Sequence, residues 1–344
     1  MVQHIFYSIY YSKMKKIAVI LGDSRKPDIT KLNGVFGKID QEVIDKLKEA
    51  LDKLKDYKFS YFDNHNIMQP LLSELKDEID IAFNLCDEGF QNNPKYEKLI
   101  PIVLERRGIK YTGANAECMV LCYNKNDIIE LAKKSDIPVQ KSRLIQRKNS
   151  EPNINLDMQF PLIIKPNFGD GSFGINRNSV IDNPADLEKR LAKNNYPLLV
   201  QEFLEGKELS CGIIGNKDDF LVLPITEDDY SEVPGDLPKL NCHEAKHNPN
   251  SPYKNIKTII ADIPNELKDS ITQYSLKLFD LTGCRDYARV DWRLDRSGNP
   301  KLLEINPNPG WCWDGHLAKM CNLNEISYSQ MLEMILKTAE KRLQ

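Results

Sequence analysis

The stretch "YARVDWRLDRSGNPKLLEINPNPG", residues 287 to 310, constrains the fold more than any other part of the chain. Ala288, Val290, Trp292 and Leu294 alternate with Arg289, Asp291, Arg293 and Asp295, the period-two pattern of a strand with one apolar and one polar face. "DRSGNP" supplies turn chemistry and "KLLEIN" a return strand, so the segment predicts an antiparallel hairpin. With the turn centred between Ser297 and Gly298, Asp291 lies opposite Glu304 and Arg289 opposite Asn306. Directly opposed residues point to one face, where like charges destabilise the pair unless something positive sits between them. Asp291, Glu304 and Asn306 offer three hard oxygen donors, a set that suits Mg²⁺. The alternative is an exposed hairpin with solvated charges, and a register slip of one residue would turn Glu304 to the other face.

Alternation extends upstream. "IAVIL" after Lys16 reads as a buried strand, 39–54 as a helix, "KFSYF" as a strand and 67–77 as a short helix. "IDIAFNL", a helix over 96–107 and "IKYTG" at 109–113 continue the series, which implies a parallel sheet covered by helices. A helix over 126–135 leads to a smaller unit holding "FPLIIKP", a helix begun by "NPADLEKRL" and the strand "PLLVQEFL". Two apolar runs lie in 208–225, and 227–257 is a polar stretch of a length that is usually functional or disordered. A helix over 264–282, the hairpin and a helix over 327–342 close the chain. The division expected is 1–13 as an N-terminal extension, 14–122 as an α/β domain, 123–206 as a small central unit and 207–344 as a C-terminal unit.

At 344 residues the chain has ample material for a complete enzyme, and 41% hydrophobic with 28% charged residues is ordinary for a soluble globular protein. No segment reaches the roughly 18 apolar residues of a membrane helix. A formal net charge of −3 argues against a nucleic-acid scaffold, so no nucleic-acid or membrane partner is expected and a small molecule is. Eight cysteines without a C-x-x-C pair or a secretory signal suit a reduced, cytoplasmic compartment. Cys118 and Cys122 share a helical face at i, i+4, yet zinc needs further ligands and none is patterned nearby.

"GDGSFG" at 169–174 matches G-x-G-x-x-G by letter, but "INRNSVID" after it reads as a strand rather than a helix. A hairpin flap closing on phosphates, with backbone N–H groups around Gly171 and Ser172, fits better than a dinucleotide fold; a plain hairpin turn is the competing view. Lys165, Lys125 and Lys246 would neutralise phosphate charge, although each alone is most often a solvated surface group. "QEFLEGKE" offers acceptors for an adenine amino group over Gln201 to Leu204, and Glu208 for ribose hydroxyls.

Together "FNLCDEGF", "KYTG", "YNK", "LIIKP", "GDGSFG", "LVQEFLEGKE", "EAKH", "GCRDYARVDWRLD" and "LLEINPNPG" resemble, in order and spacing, the ATP-grasp ligases, most closely the D-alanine–D-alanine ligase branch. The resemblance runs from about residue 16 to the C-terminus; its last block is highly specific and its first third loose. It implies ATP, with Mg²⁺ or Mn²⁺, and transfer of the γ-phosphoryl group to a carboxylate, giving an acylphosphate that an amine attacks, in the manner of EC 6.3.2. It also implies a homodimer. By that resemblance Lys125, Lys165 and Lys246 match phosphate contacts, Gln201, Phe203 and Leu204 the purine positions, and Glu208 the ribose ligand. Asp291, Glu304 and Asn306 match metal ligands, while Arg289 and the backbone of Gly310 match the groups that hold the oxyanion.

The departures lie on the substrate side. Gly171 and Gly315 stand where the family has serines, His247 where it has a tyrosine, and "GDSRKPD" lacks a glutamate expected beside the first amino group. The expectation is a ligase for an amino acid or small peptide with a product other than D-alanyl-D-alanine. A D-alanine–D-alanine ligase proper and a catalytically silent ATP-binding regulatory or scaffold protein are the alternatives. Trp311, Trp313, Asp314 and His316 are expected to wall the substrate pocket, with simple packing or a structural histidine as the competing roles. Asp87 and Glu88 are expected to meet substrate from the first domain, or else to cap a helix.

Overall fold

The structure, a computed structural model, describes residues 14–146, 157–169, 171–172, 174–193, 197–242, 245 and 250–344. Strand β1 (Lys15–Ile20) lies between β2 (Tyr57–Phe62) and β3 (Ile81–Asn84) in a parallel sheet. Both faces of β1 are covered, which is why its sequence is continuously apolar. Ile17 and Val19 pack with Leu47 and Leu51 of α1 (Lys38–Leu51), while Ala18 and Ile20 pack with Met68 and Leu72 of α2 (Met68–Leu75) and with Ile100 and Leu104 of α3 (Leu99–Glu105). The strand expected at 109–113 is reduced to a single bridge, Ala82 with Tyr111. The chain leaves the sheet there because Gly113, at φ +81°, turns it toward Asp286, whose carboxylate accepts from the Gly113 N–H at 2.8 Å.

Helices α4 (Ala116–Cys122) and α5 (Lys125–Lys134) lead into a four-stranded antiparallel sheet. Its strands are β4 (Ser142–Ile145), β5 (Leu162–Pro166), β6 (Val180–Ile181) and β7 (Leu198–Glu202), in the order β4-β7-β5-β6, with α6 (Pro184–Lys193) on one face. That face is a core of its own: Ile145, Leu162, Ile164, Leu198 and Val200 against Leu187 and Leu191. Ile163, Lys165 and Gln201 point to the opposite side, as the period of two requires. The strand expected after the glycine motif shrinks to a 3₁₀ turn, Arg177–Ser179, and the two residues of β6.

The largest sheet is antiparallel and holds β8 (Glu208–Asn216), β9 (Asp219–Val222), β10 (Thr226–Asp229), β11 (Lys257–Ile260), β12 (Tyr287–Leu294) and β13 (Pro300–Asn306). The order is β11-β10-β8-β12-β13, with β9 on β8. Helix α7 (Asn265–Thr282) covers one face, burying Ile271, Leu278 and Phe279 with Cys211, Val290 and Trp292, and Trp292 Nε1 donates to Ser275 Oγ at 3.0 Å. Two helices finish the chain: α8 (His316–Leu323), absent from the sequence reading, and α9 (Tyr328–Leu343). Helix α9 starts with a reciprocal cap between Ser327 and Gln330, a feature that contributes about 1 kcal/mol. Its Met331, Leu332, Ile335 and Leu336 share one core with Ile17, Val19, Tyr287 and Leu317, so the parallel sheet and the C-terminal helices are packed together. Buried Asp286 reinforces the junction, accepting from Arg342 Nε and Nη2 at 2.8 Å each and from Asn216 Nδ2 at 3.0 Å. No helix among the described residues is long and apolar enough to cross a membrane.

The β12–β13 register has Arg289 opposite Asn306 and Asp291 opposite Glu304, as the sequence implies, but by a different route. Near the turn the pairs are Trp292 with Leu302, Arg293 with Lys301 and Leu294 with Pro300, one residue short of the expected register. Asp295 makes the tighter turn, accepting from the backbone N–H groups of Ser297 and Asn299 at 2.9 Å while Gly298 takes φ +82°. A bulge between Asp291 and Trp292, leaving Leu303 as the extra residue, restores the pairing at the acids.

Candidate active site

The polar face of β12 is buried rather than solvated, because the four-stranded sheet stands across it and an open cleft of about 770 Å³ lies between. Lys165, Ser172, Phe203, Leu204, Glu208, Arg289, Asp291, Glu304 and His316 line this cleft, together with Gln140, Ser210 and Arg293. Gln201 lies directly across from Ile163, another lining residue, on the same face of the sheet. Asn306 sits opposite Arg289 at the hairpin's far end, its Oδ1 accepting from the Asn308 N–H at 3.0 Å.

Charge in the cleft is closely paired. Arg289 reaches both oxygens of Asp291, Nε to Oδ1 at 2.8 Å and Nη2 to Oδ2 at 2.9 Å, and Ser210 Oγ donates to Oδ1 at 2.7 Å. Burial alone would raise the Asp291 carboxyl, but the Arg289 charge and these hydrogen bonds outweigh it and hold it below the usual range. Lys125 Nζ stands 3.7 Å from Glu304 Oε2 and also donates to the Gly169 carbonyl. It reaches both because the start of α5 is stapled to the segment before the glycine motif: the Lys125 N–H bonds Asn167 O and the Gly169 N–H bonds Tyr123 O. Lys165 is buried, which pushes its ammonium down to about 8 despite the opposing pull of Glu304.

Glu208 accepts from Tyr230 Oη at 2.7 Å and from Arg293 Nη1 at 2.9 Å, and the Arg293 guanidinium lies 5.0 Å from the Phe203 ring centre and 5.7 Å from that of Tyr230. Sequence reasoning passed over Arg293, although it continues the Arg289–Asp291 face at the same period. Gln140 and Ser210 carried no local signal; only the assembled sheets bring them here.

The remaining residues singled out from the sequence form a second group. Trp311 Nε1 donates to Asp87 Oδ1 at 3.1 Å, and Asp87 Oδ2 lies 3.7 Å from where a Cβ on Gly310 would be. Glu88 pairs with Lys31 at 3.0 Å, and its Oε2 occupies the space of a Cβ on Gly22, 2.7 Å away. Burial, and then the neighbouring Glu88 charge, pushes the Asp87 carboxyl well up. Asp87 and Glu88 stand in a turn between β3 and a 3₁₀ segment and cap no α-helix. Trp311 is buried, whereas Trp313 and Asp314 are exposed, and His316 belongs to the cleft instead. Lys246 and His247, with the extension 1–13, lie outside the described residues, as do positions 170 and 173 of the glycine motif.

The third member of a thiol group also arrives only in the fold. Cys284 Sγ lies 3.6 Å from Cys118 Sγ, which is 3.8 Å from Cys122 Sγ, all buried in the core. Among the described residues no fourth His, Cys, Asp or Glu joins the three, so a tetrahedral zinc site is not completed.

Three sheets and their helices, with an open cleft between the two antiparallel ones, make up the ATP-grasp fold. A crystal structure of D-alanine–D-alanine ligase from Bacillus anthracis complexed with ATP superposes with a TM-score of 0.70 at 22% identity, covering 95% of this chain and 98% of that one. The VanG D-Ala:D-Ser ligase from Enterococcus faecalis gives 0.69 at 19% identity, over 94% and 99%. Residues 130–337 match the family described as D-ala D-ala ligase C-terminus, and the chain belongs to that family. The uncharacterized protein y4sG of Sinorhizobium fredii is 32% identical over 266 residues, 76% of this chain and 75% of the relative. D-alanine–D-alanine ligase A of Bacillus cereus is 28% identical over 248 residues, 69% and 74% of the two chains.

Proposed function

We propose that the protein is an ATP-dependent ligase that joins the carboxylate of one amino acid or small peptide to the amine of another through an acylphosphate. The observation that carries this is the opposed pair Asp291 and Glu304, facing a cleft into which Lys165 projects and on which Lys125 borders. Phosphoryl transfer depends on positioning and charge neutralisation, and this arrangement supplies both. The nucleotide would lie between the units 123–206 and 207–344, with its base against Phe203 and Leu204 and its ribose at Glu208, which Arg293 and Tyr230 hold in place.

The donor set fits a hard divalent cation: two carboxylates opposed on neighbouring strands and the Asn306 amide would hold Mg²⁺, which supplies charge neutralisation at the phosphates. Arg289 and the backbone of Gly310 would stabilise the oxyanion formed when the amine attacks. Asp87, Glu88 and Trp311 would bound the amino-acid side of the site, where Asp87 meets Gly310.

The relatives from Bacillus cereus and Desulfotalea psychrophila are D-alanine–D-alanine ligases, so D-alanine is the first substrate to test. The expectation of another product rests on positions 171, 247 and 315 and on the loop at 22–28 that lacks a glutamate. Purified protein incubated with ATP, Mg²⁺ and single or paired D- and L-amino acids should release ADP and yield an amide-linked product by mass spectrometry. ADP without amide would make it a carboxylate kinase; no substrate-dependent ADP with any pair would make it a silent nucleotide-binding protein.

A further inference from the structure

Three sulfurs meet in the core where α4 passes the end of α7. Cys118 and Cys122 lie one turn apart on α4, and Cys284 follows Gly283, whose left-handed φ of +71° ends α7. Cys118 Sγ is 3.8 Å from Cys122 Sγ and 3.6 Å from Cys284 Sγ, and all three sulfurs lie within 4.8 Å of one another. Backbone bonds hold them there independently of the thiols. The Asn115 side chain accepts from the Cys118 N–H at 2.9 Å, the Cys284 N–H bonds Phe279 O at 3.0 Å, and Arg285 Nε and Nη2 reach Gly113 O at 3.0 and 2.9 Å. The fold therefore presents the thiols together before any ligand arrives, which is the preorganisation a coordination site needs. A free cysteine packs as a small apolar residue, but packing gives no reason for three sulfurs to converge on one spot.

We propose that Cys118, Cys122 and Cys284 form a binding site for a trivalent, three-coordinate thiophilic metalloid of the arsenite type. Coordination number, spacing and charge each select that class. Zinc needs a fourth ligand, and among the described residues no further His, Cys, Asp or Glu supplies one. Sulfurs bonded at about 2.3 Å stand about 3.8 Å apart at near-tetrahedral angles and about 4.0 Å apart in a planar trigonal complex. The spacings of 3.6 and 3.8 Å suit a pyramidal ion. Three thiolates on copper(I) would leave two net negative charges in a core shared with Ala114, Met119 and Phe279, of which nearby Arg285 would offset one. A trivalent metalloid leaves none. Its hydroxide binds by exchange: three As–O bonds break, three As–S bonds form, each thiol proton leaves with a hydroxide as water, and no electron is transferred. The exposed Gly283 turn, with open space where a Cβ would stand, gives a way in beside Cys284.

The test is arsenite binding to the full chain, kept reduced by a phosphine, read by native mass spectrometry and arsenic X-ray absorption. One arsenic should add per chain with loss of three hydrogens, and its shell should hold three sulfurs and no oxygen. Cys118→Ala, Cys122→Ala and Cys284→Ala should each weaken binding at least about tenfold and convert the shell to two sulfurs and one oxygen. Cys321→Ala, in a separate core, should change neither. Should one of the three variants fail to fold, the spectrum of the unaltered chain still decides the point. Absence of an adduct, a shell of two sulfurs, a three-sulfur shell that persists in Cys284→Ala, or uptake of copper(I) or zinc by these thiols without uptake of arsenite would overturn the inference. None of those results bears on the ligase reading.

Discussion

Replacing Arg342 by Met tests whether the first and last parts of the chain are joined as the structure indicates. The guanidinium donates two hydrogen bonds to Asp286 and a third, also at 2.8 Å, to the Tyr111 carbonyl. Methionine keeps the apolar stem but leaves the fully buried Asp286 with only the Gly113 N–H and Asn216 as donors. Breaking a buried pair costs about 3–5 kcal/mol, and because Arg342 is itself partly exposed at 18%, about 3 kcal/mol is the expected loss. For 344 residues unfolding as one unit, an entropy of about 2.1 cal/mol/K per residue gives about 0.7 kcal/mol per kelvin, so the midpoint should fall by about 4 °C. Asp286→Asn in the same background should recover part of the loss, since asparagine tolerates the φ of +66° and still accepts from Gly113. Differential scanning calorimetry of the four proteins decides the matter. A shift below about 1 °C in Arg342→Met, or strictly additive effects in the double variant, would refute the reasoning.

Glu304→Gln should retain the fold and abolish ligase turnover; near-normal ADP formation would contradict its place among the metal-binding groups. ATP affinity should weaken by up to about tenfold per unit as pH rises above about 8, because Lys165 loses its proton there, and Lys165→Arg should flatten the profile measured by calorimetry. Buried His65, whose Nδ1 accepts from the Gln91 N–H at 2.8 Å and whose Nε2 bonds Leu21 O at 2.9 Å, is held neutral chiefly by burial, below its ordinary value. Its contribution is therefore complete above the unfolded value of about 6.5 and is lost as pH falls below it, by at most about 1.4 kcal/mol per unit. Urea unfolding at pH 7.5, 6.5 and 5.5 should show this decline, with a smaller slope in His65→Asn; equal slopes would rule it out.

Much of the architecture is legible in the sequence because local patterns carry it. The run around Ile17 to Ile20 reads as a doubly covered strand, and the helices on Leu47 and Leu51, on Leu278 and Phe279, and on Ile335 and Leu336 show their apolar periods directly. The hairpin register at Asp291 and Glu304 is legible too, though two offsetting departures, the shorter turn and the Leu303 bulge, produce it, and neither leaves a pattern in the sequence. Ser142–Ile145 and His316–Leu323 are short elements whose form comes from their neighbours: β4 exists because β7 offers it a ladder. Arg293 was visible by spacing, but its hold on Glu208 depends on β8 lying beside β12. Gln140 and Cys284 meet their partners only across sheets or helices distant in sequence, where no periodicity reaches.

The core shared by the parallel sheet and the closing helices also bears on synthesis. Ser329 bonds the carbonyl of Ala50, 279 positions earlier, and Lys15 pairs with Glu340 at 2.6 Å. On the ribosome the α1 side of the first sheet therefore emerges only partly covered, and stays so until Met331 to Leu336 have been translated.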